Sequence, residues 1–324
     1  MTPPPALTII LPTRNRPASL REAVEGLARQ DIGPAVYEVV VVDDGSTPPV
    51  DLPAVPGALA TTIVRLEGVE RSAARNQGAS RARGGILLFL DDDMTVRADF
   101  VRRHLEGQRE WPGALVVGGI VLPDAMLTRP FGRFRRSLEN AGLPQARGLV
   151  AARNFCAAGN MSIPAATFRA LGGFDPLLSS SEDQDLALRH TAAGGRIAYL
   201  PEAVAVHRDS ANEIRSYCRR TEWGSESMLP FCRRYPDWPD NVERARVNGP
   251  ARFGGEPLSL SLKKLAKSAL GQPPLPAILF TVAKAVERCW PHAGLLDRLY
   301  RLLLGTHIFR GYRRGLRRGE PGRG

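Results

Sequence analysis

The chain has 324 residues, 43% of them hydrophobic, with 44 Lys and Arg against 33 Asp and Glu for a formal net charge of +11. That length holds two average domains or one large α/β domain with an extension, and the hydrophobic share excludes disorder throughout. The positive excess suggests an anionic partner (nucleotide, nucleic acid or acidic lipid) without saying which.

In chain order, MTPPPALTIILPTR lacks a basic n-region and is broken by prolines, so it does not read as a signal peptide. ALTIIL (6–11) and YEVVVVDD (37–44) are β-branched runs. Between them PASLREAVEGLARQ sets Leu20, Val24 and Leu27 at helical spacing, with Ser19 and Glu22 reading as a capping box; the three segments predict a β-α-β unit. TTIVRL (61–66) predicts another strand, SAARNQGASRAR (72–83) a helix and GGILLFL (84–90) a fully buried strand, so β and α alternate as in a parallel sheet. Ligands of open parallel sheets lie beyond the carboxyl ends of the strands. Both VVDDGS and FLDDDM fall at such ends. Asp91, Asp92 and Asp93 repel one another there, which is tolerable only if the site is solvated or if something positive regularly occupies it.

After ALVVGGIVL (114–122) come RNFCAAGNMSIPAATFRALGGFD, the polar SSSEDQD, a helix LALRHTAAGG and a strand-like RIAYLPEAVAVH. The main domain is expected over 1–210. Residues 211–324 form a second region of aromatic and Arg-rich pieces, a Gly/Pro linker near 249–257 and helical segments; its residues 301–324 carry seven Arg against one Glu. A late apolar run, LPAILFTVAKAV, is too short to span a bilayer and holds Lys284. Cys156, Cys218, Cys232 and Cys289 show neither a CxxC pair nor zinc spacing, so reduced thiols of a cytosolic protein are expected.

The order LPTRNRPASL, VVVDDGS, AARNQGA, FLDDDM, GNMSIP, GGFDPLL, EDQDLALR and finally VH resembles the family 2 inverting glycosyltransferases with the GT-A fold, over roughly residues 6–210. The resemblance implies an α/β fold: a Rossmann-like, mostly parallel sheet flanked by helices, here with a helical basic C-terminal extension. Sugar transfer from a nucleotide sugar needs the diphosphate leaving group neutralised, and a hard divalent cation held by one or two carboxylates and phosphate oxygens does that. Carried onto this chain, the family pattern gives Asp91 the donor ribose and metal, Asp93 the Mn²⁺ or Mg²⁺, Asp92 a place on the donor side, and His207 a place as metal ligand. Neutral imidazole suits Mn²⁺ better than Mg²⁺. Asp44 matches the acceptor of the uracil N3–H, with Asp43 supporting the loop and Gly45 allowing a tight turn. Pro12, Thr13, Arg14 and Asn15 occupy the loop that closes over the base, and Arg75 lies by the base and phosphates. Asn160 and Met161 align beside the donor sugar, and Phe174 packs inward from a glycine turn.

On the acceptor side a general base must take a hydroxyl proton, and Asp183 matches that position. Ser181 with Gln184 reads as a capping box whose helix N-terminus would lower this pKa, while burial beside Glu182 would oppose the shift. Glu182 and Asp185 are expected to position the acceptor or an arginine such as Arg189. The implied activity is a metal-dependent inverting hexosyltransferase of polysaccharide biosynthesis, moving a sugar from a UDP-linked donor to a hydroxyl of a glycan or lipid-linked acceptor. A sugar-nucleotide pyrophosphorylase would want a glycine-rich phosphate loop that LPTRNRP lacks. A nucleic-acid-binding module is opposed by acidic strand ends, so no nucleic acid is expected.

In the tail, LLDRLYRLLLG (295–305) sets Leu295, Leu299, Leu302 and Leu303 toward one face and Arg298 and Arg301 away, ahead of RGYRRGLRR. One reading lays this helix on an anionic membrane surface, a cytoplasmic protein peripheral at the inner face. The other packs the leucines on the catalytic domain or a second subunit.

Overall fold

A computed structural model describes residues 3–52, 59–151, 156–209, 212–290 and 294–318. The elements in chain order are β1 (Leu7–Thr13), α1 (Pro17–Ala28), β2 (Tyr37–Asp44), β3 (Thr61–Leu66), α2 (Arg71–Arg81), β4 (Ile86–Leu90), β5 (Met94–Val96), α3 (Phe100–Glu110) and β6 (Leu115–Val121). They continue with α4 (Asp124–Leu127), α5 (Pro130–Ala141), β7 (Gly148–Val150), β8 (Asn160–Pro164), α6 (Ala165–Ala170), α7 (Glu182–Ala192) and β9 (Ile197–His207). The last are α8 (Ile214–Ser227), α9 (Leu229–Arg234), α10 (Pro239–Asn248), α11 (Leu258–Leu270), α12 (Leu275–Cys289) and α13 (Gly294–Arg318). The chain divides into two compact units, Met1–Pro123 with Glu139–Arg208, and Asp124–Leu138 with Asp209–Gly324.

In the first unit the strands form a sheet in the order β3-β2-β1-β4-β8-β6-β9-β5, with β7 paired to β9. β3, β2, β1 and β4 run parallel to one another. β8 is antiparallel to both β4 and β6, while β6 and β9 are parallel. Strand periodicity splits the core in two. Ile9, Leu11, Val39 and Val41 point to one face, where they meet Leu20, Val24 and Leu27 of α1 and Phe100, Val101 and Leu105 of α3. Ile10, Val40 and Val42 point to the other, against Ala74 and Ala79 of α2, Phe168 of α6 and Leu186 of α7. Gly78 lets α2 lie close on that face: a Cβ there would stand 2.5 Å from Ile10 Cγ2. Phe174 packs inward, as expected, at 0% exposure.

Neither expected capping box forms. α1 starts at Pro17, a residue that suits the first helical position, with Arg16 as N-cap and Ser19 already inside the helix. Ser181 caps α7 in the left-handed region, at φ 65°, and makes no side-chain capping bond.

The second unit has its own core, where Phe131 and Phe134 of α5, Tyr217 and Cys218 of α8, and Phe280 and Val286 of α12 surround Leu296, Tyr300 and Leu303 of α13. Gly311 and Gly315 let α13 lie directly against α8: a Cβ on them would meet the carbonyl oxygens of Glu222 and Glu226 at 2.0 and 2.8 Å. The α13 leucines therefore serve mainly this core, with Leu303 buried and Leu299 partly so, while Leu295 is exposed. Among the described residues no helix is long and apolar enough to cross a membrane. Cys156, Cys218 and Cys232 are buried free thiols and Cys289 an exposed one.

Candidate active site

The parallel pairing aligns three strand ends. Thr13 stands in register with Asp43, and on its other side Thr13 Oγ1 donates to Asp92 Oδ2 at 2.6 Å. The loop after β2 is tightly held: Asp43 accepts from the Ser46 and Val50 N–H groups at 2.8 and 3.0 Å and from the Arg65 guanidinium. Burial works against the Asp43 charge, but these donors keep its pKa below the ordinary range. Asn15 ties the β1 loop to it, its N–H donating to Ser46 Oγ at 2.9 Å and its Oδ1 accepting from the Thr47 N–H at 2.8 Å. The Arg14 guanidinium lies over Gly68, and Pro12 is in register with Val42. Asp44 is 7% exposed; its Oδ1 accepts from the Val69 N–H at 2.6 Å, and no described residue bonds its Oδ2.

The carboxylates of the triplet after β4 divide between two arginines that hydrogen-bond them, Asp91 with one and Asp92 and Asp93 with the other. Asp91 Oδ1 accepts from Arg75 NH2 at 2.7 Å. Asp92, besides Thr13, accepts from Arg16 NH1 at 3.1 Å, and Asp93 Oδ2 accepts from the same nitrogen at 2.8 Å. Burial opposes ionisation of all three. For Asp91 the charges of Arg75 and Arg71 prevail, and for Asp93 the side-chain contact with His207 and the charge of Arg16, so both stay below the usual carboxylate pKa. For Asp92 burial prevails, joined by repulsion from its two neighbours, and the pKa rises. The repulsion expected of three adjacent aspartates is thus relieved by Arg75, Arg71 and Arg16 and by the middle carboxyl's tighter hold on its proton.

Asp93 and His207 meet because β5 turns back antiparallel to β9, with Met94 opposite His207. His207 Nε2 lies 3.5 Å from Asp93 Oδ1, within ion-pair reach but long for a hydrogen bond. That oxygen is buried without a hydrogen-bond donor. Among the described residues no three His, Cys, Asp or Glu side chains converge into a ready-made metal cage.

Arg75 is 1% exposed and joins two regions distant in sequence: NH1 donates to Glu182 Oε1 at 2.6 Å while NH2 holds Asp91. It thereby links the end of β4 to the first turn of α7, where Asp183 sits. Asp183 Oδ1 accepts from the Gln184 N–H at 2.8 Å and Oδ2 from the Ala158 N–H at 3.3 Å. Burial, reinforced by the Glu182 charge, pushes its pKa up to about 7 against the pull of Arg75 and these two N–H groups. Burial therefore overrides the helix terminus.

Other expected site residues are taken up by the scaffold. Asp185, expected at the acceptor, is fully buried and bonded by Arg189 Nε at 2.8 Å, while Arg189 also donates to the Leu171 and Gly173 carbonyls. A side chain with no exposed surface cannot meet an acceptor, which corrects that expectation in favour of the arginine one. Asn160 is engaged by His104 and by the Gly119 and Ala203 carbonyls, and Met161 is core, so neither is open to a donor.

The sequence reading missed three neighbours of the triplet: Arg16, Arg71 and Gly159. A Cβ on Gly159 would stand 2.9 Å from Asp91 Oδ2. Arg16 lies only one residue past the loop already singled out. Among the described residues three non-glycine residues have positive φ, namely Asn15 (55°), Glu70 (79°) and Ser181 (65°), in the loops after β1, before α2 and before α7. Strain of about 1–3 kcal/mol per such residue, gathered around one site, is a mark of function.

Comparison with known proteins gives the family and the fold. The family model described as glycosyl transferase family 2 matches residues 8–170. A pre-mycofactocin glycosyltransferase of Mycobacterium tuberculosis is 28% identical over 236 residues, covering 71% of this chain and 48% of that protein. The succinoglycan biosynthesis protein ExoO of Rhizobium meliloti is 33% identical over 240 residues, 68% of this chain and 66% of its own. The chain thus spans about half the length of the first of these relatives. Among solved structures, the mannosyltransferase PcManGT of Pyrobaculum calidifontis, in complex with GDP-Man and Mn²⁺, aligns with a TM-score of 0.61 at 20% identity over 98% of this chain and 89% of its own. S. aureus TarS 1–349 in complex with UDP-GlcNAc aligns with a TM-score of 0.51 at 18% identity, over 97% and 92%.

Proposed function

The chain belongs to glycosyl transferase family 2, and we propose that it moves one sugar from a nucleotide donor to an acceptor hydroxyl with inversion, helped by a divalent metal. The observation that carries this is the Arg75 bridge, which ties the strand-end carboxylates to the turn bearing Asp183. Asp183 takes the proton of the acceptor hydroxyl as its oxygen bonds to C1 of the sugar; the bond from C1 to the diphosphate breaks, and the nucleoside diphosphate leaves. A base with a pKa near 7 is matched to that task, since a substantial share of it is free of its proton at neutral pH and it still holds one well.

Asp93 and His207 would hold Mn²⁺ or Mg²⁺, with Asp91 beside them. The buried, donor-free Asp93 Oδ1 facing an imidazole suits a cation whose other ligands come from the diphosphate. When bound, that ion supplies charge neutralisation of the leaving group. Asp44 offers Oδ2 to the N3–H of a uracil, which favours a UDP-sugar, with Pro12, Thr13, Arg14 and Asn15 lining the base. Arg75 and Asp92 are positioning groups, and Glu182 fixes Asp183 through Arg75. The acceptor is a glycan or lipid-linked hydroxyl, met by a protein peripheral to the inner membrane face.

Asp183→Asn tests the assignment. Calorimetry with UDP and Mn²⁺ should match the parent while turnover falls about 10²–10⁴-fold, and a chelator should abolish turnover of the parent. A variant that turns over at the parent rate, or that loses UDP binding, would remove Asp183 from the role of base.

A further inference from the structure

The helical unit holds a cavity of about 260 Å³ lined by Arg310, Arg313, Arg314 and Arg317 of α13, Phe309, and Ser268, Gly271, Gln272 and Pro273 at the end of α11 and the turn after it. No carboxylate lines it. Arg314 is engaged by Glu222 and Glu226, and Arg310 lies 3.6 Å from Glu222, but Arg313 and Arg317 form no ion pair with any described residue. Two guanidiniums left unpaired beside two more in one cavity repel each other unless an anion lies between them. The cavity is smaller than the roughly 300–1,000 Å³ that encloses a drug-sized ligand, which limits the bound part to a head group.

What continues from that head group is indicated by the helices on either side of the turn. α11 exposes Leu258, Leu262 and Leu265 and α12 exposes Leu275, Ile278 and Val282, six apolar side chains at helical spacing that are between 37% and 64% exposed. Each set forms a stripe along one face of its helix. Across residues 258–318 the sequence carries twelve Lys and Arg against two Asp and Glu. Basic helices with an exposed apolar stripe rest in the headgroup layer of anionic bilayers.

We infer that the α13 arginine cavity binds the phosphate of an anionic lipid, with the α11 and α12 stripes entering the surrounding bilayer. This rests on the proposed peripheral placement and names the surface and the group that achieve it. The guanidinium fork matches phosphate oxygens bidentately, so the site discriminates phosphate from a diffuse negative surface.

Flotation of the full chain with vesicles, in the absence of nucleotide, tests this apart from catalysis. Phosphatidylcholine vesicles containing phosphatidic acid should carry the protein and pure phosphatidylcholine should not. Arg313→Gln/Arg317→Gln should weaken partitioning about 30-fold, two charges at about 1 kcal/mol each. Leu262→Gln/Ile278→Gln should weaken it too, and melting curves should match the parent because all four side chains face solvent or the cavity. Equal flotation on neutral vesicles, no flotation with phosphatidic acid, or an arginine variant that floats like the parent would overturn the inference. So would tight calorimetric binding of inorganic pyrophosphate without vesicle binding, which would assign the cavity to a soluble anion. Failure of the transferase reading would appear instead as no sugar transfer from any nucleotide sugar, leaving the flotation result unaffected.

Discussion

Asp91, Asp92 and Asp93 at the end of β4 and Arg310, Arg313, Arg314 and Arg317 on α13 are both clusters of like charge, yet their surroundings differ. The aspartates are enclosed: Thr13, Arg16, Arg75 and His207 reach them from four other segments, and Arg75 is itself buried. The arginines line an open cavity, and two of the four lack any ion-pair partner among the described residues. Enclosure fixes where each carboxylate points, which a reacting site needs to within about half an ångström. An open cluster keeps its charge available for a partner that brings its own counter-charge. The difference teaches that in this protein pairing marks positioned chemistry, and its absence marks a surface for capture.

The largest effect that would break this contrast is at Arg75. Arg75→Ala leaves Glu182, buried, and Asp91, partly buried, without their cation, which should cost about 3–5 kcal/mol and lower the melting temperature by roughly 10 °C. Arg75→Lys should recover little, because one ammonium cannot reproduce a fork that meets two carboxylates. Arg313→Gln should stay within about 0.5 kcal/mol of the parent, as solvent-facing substitutions do. Equal melting shifts at the two positions would erase the distinction.

The next effect is in the sign of pH dependence. Asp183 titrates near 7 in the folded protein against about 3.9 in an unfolded chain, so between those values the folded state keeps a proton that the unfolded state has released. Its contribution to stability is therefore present below about pH 4 and is lost as pH rises through about 7, the same interval in which turnover should rise as the base is freed. Glu222 in the helical unit behaves oppositely. Burial disfavours its charge, but the His307 hydrogen bond and the charges of Arg310, His307 and Arg314 lower its pKa, so its stabilisation is lost as pH falls through the acid range. Denaturant melts at pH 4.5 and 7.5 should give a steeper loss of stability with rising pH for the parent than for Asp183→Asn, and matching slopes would mean that Asp183 does not titrate there.

The parts of this site that could be read from the sequence are those written in local pattern. The runs LTIIL, VVVVDD and ILLFLDDD name their strands by β-branched and apolar content and place their own carboxylates at the strand ends. Parallel strand ends then coincide by topology. His207 could be named only by resemblance, because its approach to Asp93 depends on β5, a three-residue strand with no pattern of its own. Arg16 was passed over because Pro17 moves the helix start ahead of the Ser19 box, making this arginine the cap that faces the triplet. The leucines of α13 carry an amphipathic signal that cannot distinguish a membrane from a neighbouring helix. Their burial follows from Phe131 and Phe134, which lie far away in sequence. Asp185 and Asp183 look alike in EDQD, and only the turn of α7 sends one to Arg189 and the other to the Ala158 and Gln184 N–H groups.

The smallest effect compares two glycines with the same nominal clash. A Cβ at Gly159 would stand 2.9 Å from Asp91 Oδ2, and one at Gly271 would stand 2.9 Å from Arg310 Cδ. Arg310 is a long, partly exposed side chain that swings aside by rotamer change, so Gly271→Ala should leave stability within about 0.5 kcal/mol. Asp91 is short and bonded to Arg75, whose other nitrogen holds Glu182 next to Asp183. A displacement of Asp91 by a few tenths of an ångström therefore travels to Asp183, the proposed base. Gly159→Ala should lower turnover about tenfold, or 1.4 kcal/mol in the barrier, while its melting temperature stays near the parent's. If Gly159→Ala keeps full turnover, the carboxylate has room to yield as freely as the arginine does, and enclosure at the strand ends is looser than its hydrogen bonds indicate.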